Sequence, residues 1–257
     1  MNLPDFYKPQ VMAIVNATPD SFYSASRTDD ADSLERRIAD VVAQGATIID
    51  IGGYSSRAGA DDVPLEEEWR RVDLAVGVAR RVAPQTVVSV DTFRSEVVRR
   101  TVEKYGKIIV NDITAGEGDE RMVATVVELD LPYVAMHMRG TPQSMQSKTG
   151  YDDVVAEVVD YLINRAAELE CAGVRRENII LDPGFGFAKS VEQNYALLAG
   201  LSRLTAAGYP VLAGLSRKSM IYKVLESTAE DALAGTIALS WEALRQGATI
   251  LRVHDVA

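Results

Sequence analysis

Eight short apolar runs, each closing on polar side chains, constrain this chain more than any other feature. The clearest is Ile179-Ile180-Leu181-Asp182, followed by Pro183-Gly184-Phe185-Gly186-Phe187. A β-branched run that stops at a carboxylate and a Pro-Gly turn reads as a buried parallel strand. It delivers Asp182 to the mouth of a site. The same grammar recurs along the chain. The run 11–15 ends in Asn16, 48–51 carries Asp50, and 87–90 ends in Asp91. The run 108–110 ends in Asn111-Asp112, 133–136 in His137, and 211–215 in Ser216-Arg217-Lys218. The last, 250–253, interleaves Arg252 with His254. Such strands, alternating with helices, predict an α/β chain folded as a (β/α)8 TIM barrel. Its chemistry belongs at the C-terminal ends of the strands.

Leu65, Trp69, Val72, Val76 and Ala79 recur at helical spacing, as do Val155, Val158, Val159, Leu162, Ala166 and Leu169. Each set is the apolar stripe of a helix laid on a sheet. Capping boxes at Asp32 with Glu35 and at Ser190 with Gln193 predict helix starts. Gly45, Gly106, Gly173, Gly208 and Gly247 predict helix ends. With 257 residues at 47% hydrophobic and no linker or low-complexity tract, one domain over 1–257 is expected. The chain stops at Ala257, directly after the eighth run, so the final helix of such a barrel is absent. Leu251 and Val253 are then expected to face water unless a second subunit or further residues cover them. Two loops, 18–31 and 54–64, are longer than a strand-to-helix turn requires and rich in Ser, Asp, Gly and Arg. They read as lids or binding loops, the alternative being solvated surface.

No apolar run approaches the ~20 residues that span a bilayer, and the start has neither a basic region nor an apolar one. A formal charge of −10 argues against a nucleic-acid surface, though a local cluster can still attract a small anion. The single Cys171 excludes an internal disulfide, fits a reducing cytoplasm, and reads as a small buried hydrophobe near a helix end. Only two His are present, none at metal-ligand spacing with Cys, so a structural zinc is not expected. No Walker or dinucleotide fingerprint and no G-x-S-x-G elbow occurs.

Asp91, Asn111 and Asp182 project from three strand ends. Together they suit a flat heterocycle with several N–H donors; taken singly, each also suits a loop cap. Arg252 and His254 share one face of the last strand and suit a phosphate. Lys218 and Arg217 join them in the usual phosphate region of such barrels, or else are surface charges.

Laid out in order, these segments resemble the dihydropteroate synthases of folate synthesis nearly end to end. The carrying stretches are Asn16-Ala17-Thr18-Pro19-Asp20-Ser21-Phe22, Asp50-Ile51-Gly52-Gly53, Ser89-Val90-Asp91-Thr92 and Asn111-Asp112. Met136-His137-Met138-Arg139-Gly140-Thr141-Pro142, the stretch from Leu181 to Phe187, Gly214-Leu215-Ser216-Arg217-Lys218-Ser219 and Arg252-Val253-His254-Asp255 complete them. The resemblance implies that 4-aminobenzoate displaces pyrophosphate from 6-hydroxymethyl-7,8-dihydropterin diphosphate. It implies Asp91, Asn111, Asp182 and Lys218 around the pterin, with Met136 beside the ring. It places Asn16, Arg57, Arg252 and His254 at the pyrophosphate, with Mg²⁺ near Asn16. Ser56, Arg57, Phe187 and Ser219 would frame the aminobenzoate. Asp91, Lys218, Arg252 and His254 would act in catalysis, within a homodimer. The chain departs from the family at Tyr54, Ser56, Ala58 and Ala188, where Glu, Thr, Pro and Gly are usual. A pterin-dependent methyltransferase on the same barrel and an idle pterin-binding homologue are the alternatives.

Overall fold

The computed structural model describes residues 3–17, 27–54 and 62–257, with only the backbone of 27–30. Eight parallel strands are present: β1 (Gln10–Asn16), β2 (Ile48–Gly52), β3 (Val87–Asp91), β4 (Ile109–Asp112), β5 (Tyr133–Met136), β6 (Ile179–Asp182), β7 (Leu212–Ala213) and β8 (Ile250–Val253). Their order is β6-β5-β4-β3-β2-β1-β8-β7, and a parallel bridge from Leu181 to Val211 joins the two ends. The sheet is therefore a barrel. β7 is shorter than the run 211–215 suggests, because beyond Ala213 the chain turns away into the Ser216–Lys218 corner.

Outside lie α1 (Arg27–Ala43), α2 (Leu65–Val82), α3 (Ser95–Tyr105), α4 (Met122–Leu129), α5 (Val154–Ala172), α6 (Val191–Ala199), α7 (Ser202–Thr205), α8 (Ser219–Tyr222) and α9 (Leu233–Arg245). The two stripes named above are α2 and α5, packed into the main core. Ser190 forms its capping box with Gln193, and all five predicted terminal glycines have positive φ. Asp32, however, does not start a helix. The α1 helix begins at Arg27, which leaves Asp32 inside it and ends the first long loop before residue 27. Burial of Leu34, Ile38 and Val41 against the barrel outweighs the local capping signal. Cys171 is exposed, not buried, because it lies on the outer side of the last turn of α5. Among the described residues no helix follows β8. Even so, Leu251 packs on the main core and Val253 is buried within this chain, without the second subunit or further residues expected to cover them. The adjacent tail is tied to α1: Arg37 donates to the His254 carbonyl, and Val256 packs with Ala13, Val41 and Ala46.

Because strand side chains alternate, the barrel interior is built in layers. The lower layer is wholly apolar: Met12, Ile48, Val87, Ile109, Val134, Ile180, Leu212 and Ile250, one from each strand, with Phe6 packed among them. Two residues further along each strand stand Ile14, Asp50, Ser89, Asn111, Met136, Asp182, Gly214 and Arg252. The apolar plug below thus fixes a ring of mostly polar side chains above it.

Candidate active site

Arg252 crosses the barrel to two carboxylates on neighbouring strands. Its Nε donates to Asp50 Oδ2 at 2.7 Å and its Nη2 to Asp91 Oδ2 at 2.8 Å. Asn111 Nδ2 donates to the same Asp50 oxygen at 3.1 Å. The other oxygen of Asp50 is buried with no hydrogen-bond partner among the described residues. That is a standing desolvation cost of the kind ligand sites retain. Gly52 lies between Asn16 and Asp91 in register. A Cβ on Gly52 would meet the Asp91 side chain at 3.6 Å and Asn16 Oδ1 at 3.9 Å, so its bareness leaves the rung open.

Across the barrel, Asp182 is register partner of Met136, and its Oδ1 accepts the Gly184 N–H at 2.7 Å. A carboxylate oxygen has two lone pairs, so Asp182 can still receive a ligand edge. The Lys218 ammonium lies 4.8 Å from the centre of the Phe187 ring and donates to the Phe185 carbonyl. Ser219 follows it as the first residue of α8. His254 Nδ1 lies 3.0 Å from Ser216 Oγ, which also accepts the His254 backbone N–H.

Burial dominates the electrostatics. It pushes the Asp91 carboxyl up to about 7, with Arg252 opposing and Asp50, Glu68 and Asp112 reinforcing. Asp182 is also raised by burial, against Lys218 and the Gly184 N–H. Burial draws Lys218 down to about 8 although Asp182 holds it up, and draws His254 down to about 4 with help from Arg252. Burial opposes the charge of Arg252 too, but there Asp50 and Asp91 prevail and keep it above its ordinary value. Paired groups driven in opposite directions are a mark of functional sites.

Asp91, Asn111, Met136, Asp182, Lys218 and Arg252 therefore meet at one end of the barrel, with Asn16, His254, Phe187 and Ser219 around them. Ser56, Arg57 and Ala58 lie outside the described residues. Arg217 is a structural tie: it pairs with Asp255 at 2.8 Å and donates to the carbonyls of Ala229 and Glu230. Asp112 is a loop cap, holding Thr114, Gly116 and the Tyr133 hydroxyl. Ala188 adopts φ +50°, the left-handed region where the usual Gly costs least. Sequence reasoning left Asp50 and Ser216 without roles, since each acts on a partner some 40 to 200 positions away. It missed Lys189 altogether, a lysine only 5% exposed behind the Asp182 turn.

A family model described as "Pterin binding enzyme" matches residues 12–254. Over 253 residues the chain is 44% identical to dihydropteroate synthase of Haemophilus influenzae, covering 98% of this chain and 91% of that protein. Its identity to the Escherichia coli K12 dihydropteroate synthase is 42%, covering 98% and 88%. Among solved structures, the Xanthomonas albilineans dihydropteroate synthase with 4-aminobenzoic acid superposes with TM-score 0.89 at 41% identity, over 98% of this chain and 89% of that one. The Clostridium difficile enzyme in the presence of pteroic acid superposes with TM-score 0.91 at 35% identity, over 99% and 94%. Matching in sequence and in fold, the chain belongs to the pterin-binding enzymes, among the dihydropteroate synthases.

Proposed function

We propose that the chain, acting as one domain over 1–257, joins 6-hydroxymethyl-7,8-dihydropterin diphosphate to 4-aminobenzoate, releasing pyrophosphate and 7,8-dihydropteroate. The observation that carries this is the polar ring itself: Asp91, Asn111, Asp182 and Lys218 converge above an apolar plug, with Arg252 among them. Asp182 takes the amino-pyrimidine edge of the pterin, and Asn111 donates and accepts at the ring beside it. Lys218 supplies a donor from the far side, and Met136 lies against the ring. Phe187 and Ser219 frame the aminobenzoate, together with Ser56 and Arg57 of the second long loop.

An aromatic amine is a weak nucleophile, so the C–O bond to the leaving group breaks early and leaves positive charge on the pterin methylene. Asp91 in its ionised form stabilises that charge from within a low-dielectric site. Arg252 has five N–H donors and uses two on Asp50 and Asp91, so it keeps others for the departing pyrophosphate. His254, neutral at physiological pH, and Arg57 complete that anion site. No strong general base is needed.

Mg²⁺ belongs at the diphosphate, with Asn16 as its protein ligand. The donor set fits. No group of three His, Cys, Asp or Glu able to hold a metal occurs among the described residues. Mg²⁺ keeps several waters and takes substrate phosphates, so one amide oxygen at the end of β1 suffices. When bound, it would offset charge on the leaving group.

The protein works as a homodimer in the cytoplasm. Leu233, Ile237 and Trp241 form an exposed apolar stripe along α9, while among the described residues no helix is long and apolar enough to cross a membrane. The reaction is tested by following pyrophosphate. Release should require both substrates and Mg²⁺, with dihydropteroate formed in equal amount. Binding of pterin without turnover would favour the idle homologue, and methyl transfer from a methylated pterin the methyltransferase.

A further inference from the structure

Lys189 sits behind the Asp182 turn, only 5% exposed. Its Nζ lies 3.0 Å from each of three acceptors: the Gly184 carbonyl, the Phe187 carbonyl and His137 Nδ1. Three acceptors match the three N–H bonds of an ammonium; a neutral amine has only two. The third contact needs a bare Nδ1, which a neutral His137 with its proton on Nε2 provides. Burial, aided by Lys189 and Arg139, holds His137 down at about 3 and so keeps it neutral.

Those acceptors are not scattered. Gly184 gives its N–H to Asp182 and its carbonyl to Lys189, so one residue links the two side chains. Gly184 and Gly186 both have positive φ, and the turn lies tight on β5: a Cβ on Gly184 would meet the His137 carbonyl at 2.1 Å. Lys218 donates to the Phe185 carbonyl inside the same turn. A turn of this shape has little intrinsic stability, and two of its carbonyls, those of Gly184 and Phe187, converge on one ammonium.

We propose that Lys189 is a positioning residue for the pterin pocket, its buried ammonium locking the Gly184–Phe187 turn so that Asp182 and Phe187 are held in place for the substrates. The charged and titratable groups facing it are His137 and Arg139 from the end of β5, Asp182 from β6 and Lys218 from the turn after β7. Tyr161 of α5 stands edge-on to the His137 ring. Of these only Asp182 is anionic, so Lys189 and Lys218 both act on one carboxylate. Burial, partly offset by Asp182, brings Lys189 down to about 7, and its proton is therefore lost as pH rises through the working range.

This inference rests on the proposed synthase activity, and the test separates the two. Wild type, Lys189→Met and Lys189→Gln are compared for melting temperature, for KM and kcat, and for pterin-diphosphate affinity between pH 6 and 9. In folded Lys189→Met the KM for the pterin diphosphate should rise about tenfold or more, as loss of a supporting hydrogen-bond shell does elsewhere. Above pH 8 wild-type affinity should fall with a slope near two protons, from Lys189 and Lys218 together. The variant should keep a slope near one. A folded variant with wild-type KM and wild-type slope overturns the role of Lys189, while a wild type without turnover overturns the synthase reading instead. If neither variant folds, the ¹⁵Nζ resonance of Lys189 in wild type decides. It should titrate near neutrality and move to higher pH when pterin binds, by reciprocal linkage. A resonance indifferent to pterin overturns the proposal.

Discussion

Asp91 holds its charge at the expense of the fold. Burial lifts its carboxyl to about 7, well above the unfolded value, so its ionised form is the less stable one in the barrel. The contribution of Asp91 to stability is therefore fullest below about pH 4 and is lost as pH rises through 7. Replacing Asp91 with Asn removes that burden while Asp50 still pairs with Arg252. The variant should melt above wild type at pH 8, converge with it below pH 4, and lose about a hundredfold in kcat. A lower melting temperature at pH 8 would show that the Arg252 pair outweighs the burial. Asp91 and Lys218 together predict a bell in kcat/KM. Its acid limb near 7 belongs to Asp91 and its alkaline side, near 8, to Lys218, with Lys189 contributing to the fall. Asp182→Asn tests the opposite wall of the pocket. The amide can still accept the Gly184 N–H, but its NH₂ then faces the donors of the pterin edge. Pterin binding should weaken by on the order of 2–4 kcal/mol with little change in melting temperature; calorimetry showing unchanged affinity would remove Asp182 from the pterin site.

The turn after β6 shows why strands were legible in the sequence and their cross-links were not. Each strand announces itself locally, because an apolar run with a polar end needs only neighbouring residues to be recognised. Period-two alternation then fixes which side chains enter the barrel, so Asp91, Asn111, Asp182 and Arg252 could be named from the chain alone. What joins them is register between strands: Arg252 reaches Asp50 and Asp91, and His254 reaches Ser216. No local pattern encodes those pairs. The start of α1 was misread for a related reason, since packing of Leu34 and Ile38 outweighs a local cap. Lys189 gave no signal because a lone lysine in a turn ordinarily reads as surface. The Pro-Gly of the turn was legible, and the structure gives it a sharper reason. At Gly184 a side chain meets both a left-handed φ of 67° and the His137 carbonyl. Gly184→Ala should cost more than about 2 kcal/mol in denaturant unfolding. It should also damage the Asp182 contact, since the N–H that Asp182 accepts belongs to the displaced residue. A variant of wild-type stability would mean that β5 and the turn are not packed as described.

Assembly is the remaining question that side-chain exposure addresses. Leu233, Ile237 and Trp241 follow one another at one-turn spacing on α9, with Ile237 59% and Trp241 65% exposed. Val224 and Leu225, in the segment before that helix, are exposed as well, and Leu225 approaches Gly235 on α9. A run of this kind on the outside of a barrel marks an interaction surface better than any single exposed residue does. Its chemistry favours a second copy of the chain. Each chain carries a formal charge of −10, so two copies repel at long range and an apolar contact such as this stripe would have to offset that repulsion. That fixes the sign of the salt dependence: screening the repulsion should strengthen the dimer, whereas an assembly held by ion pairs would weaken. Sedimentation of the wild-type protein should therefore show a dimer that tightens between 50 mM and 500 mM salt. Ile237→Glu with Trp241→Glu places four carboxylates in the symmetric contact and should give a monomer. The inner side of α9 still has to hold, because Thr236 accepts the Arg217 N–H next to Lys218. The monomer should consequently keep its fold and bind pterin within about threefold of wild type, since every proposed pterin ligand comes from one chain. A wild type that sediments as a monomer at all salt concentrations would assign the α9 stripe to something other than self-association. A monomeric variant that loses pterin would show that the dimer supports the Arg217–Lys218 corner.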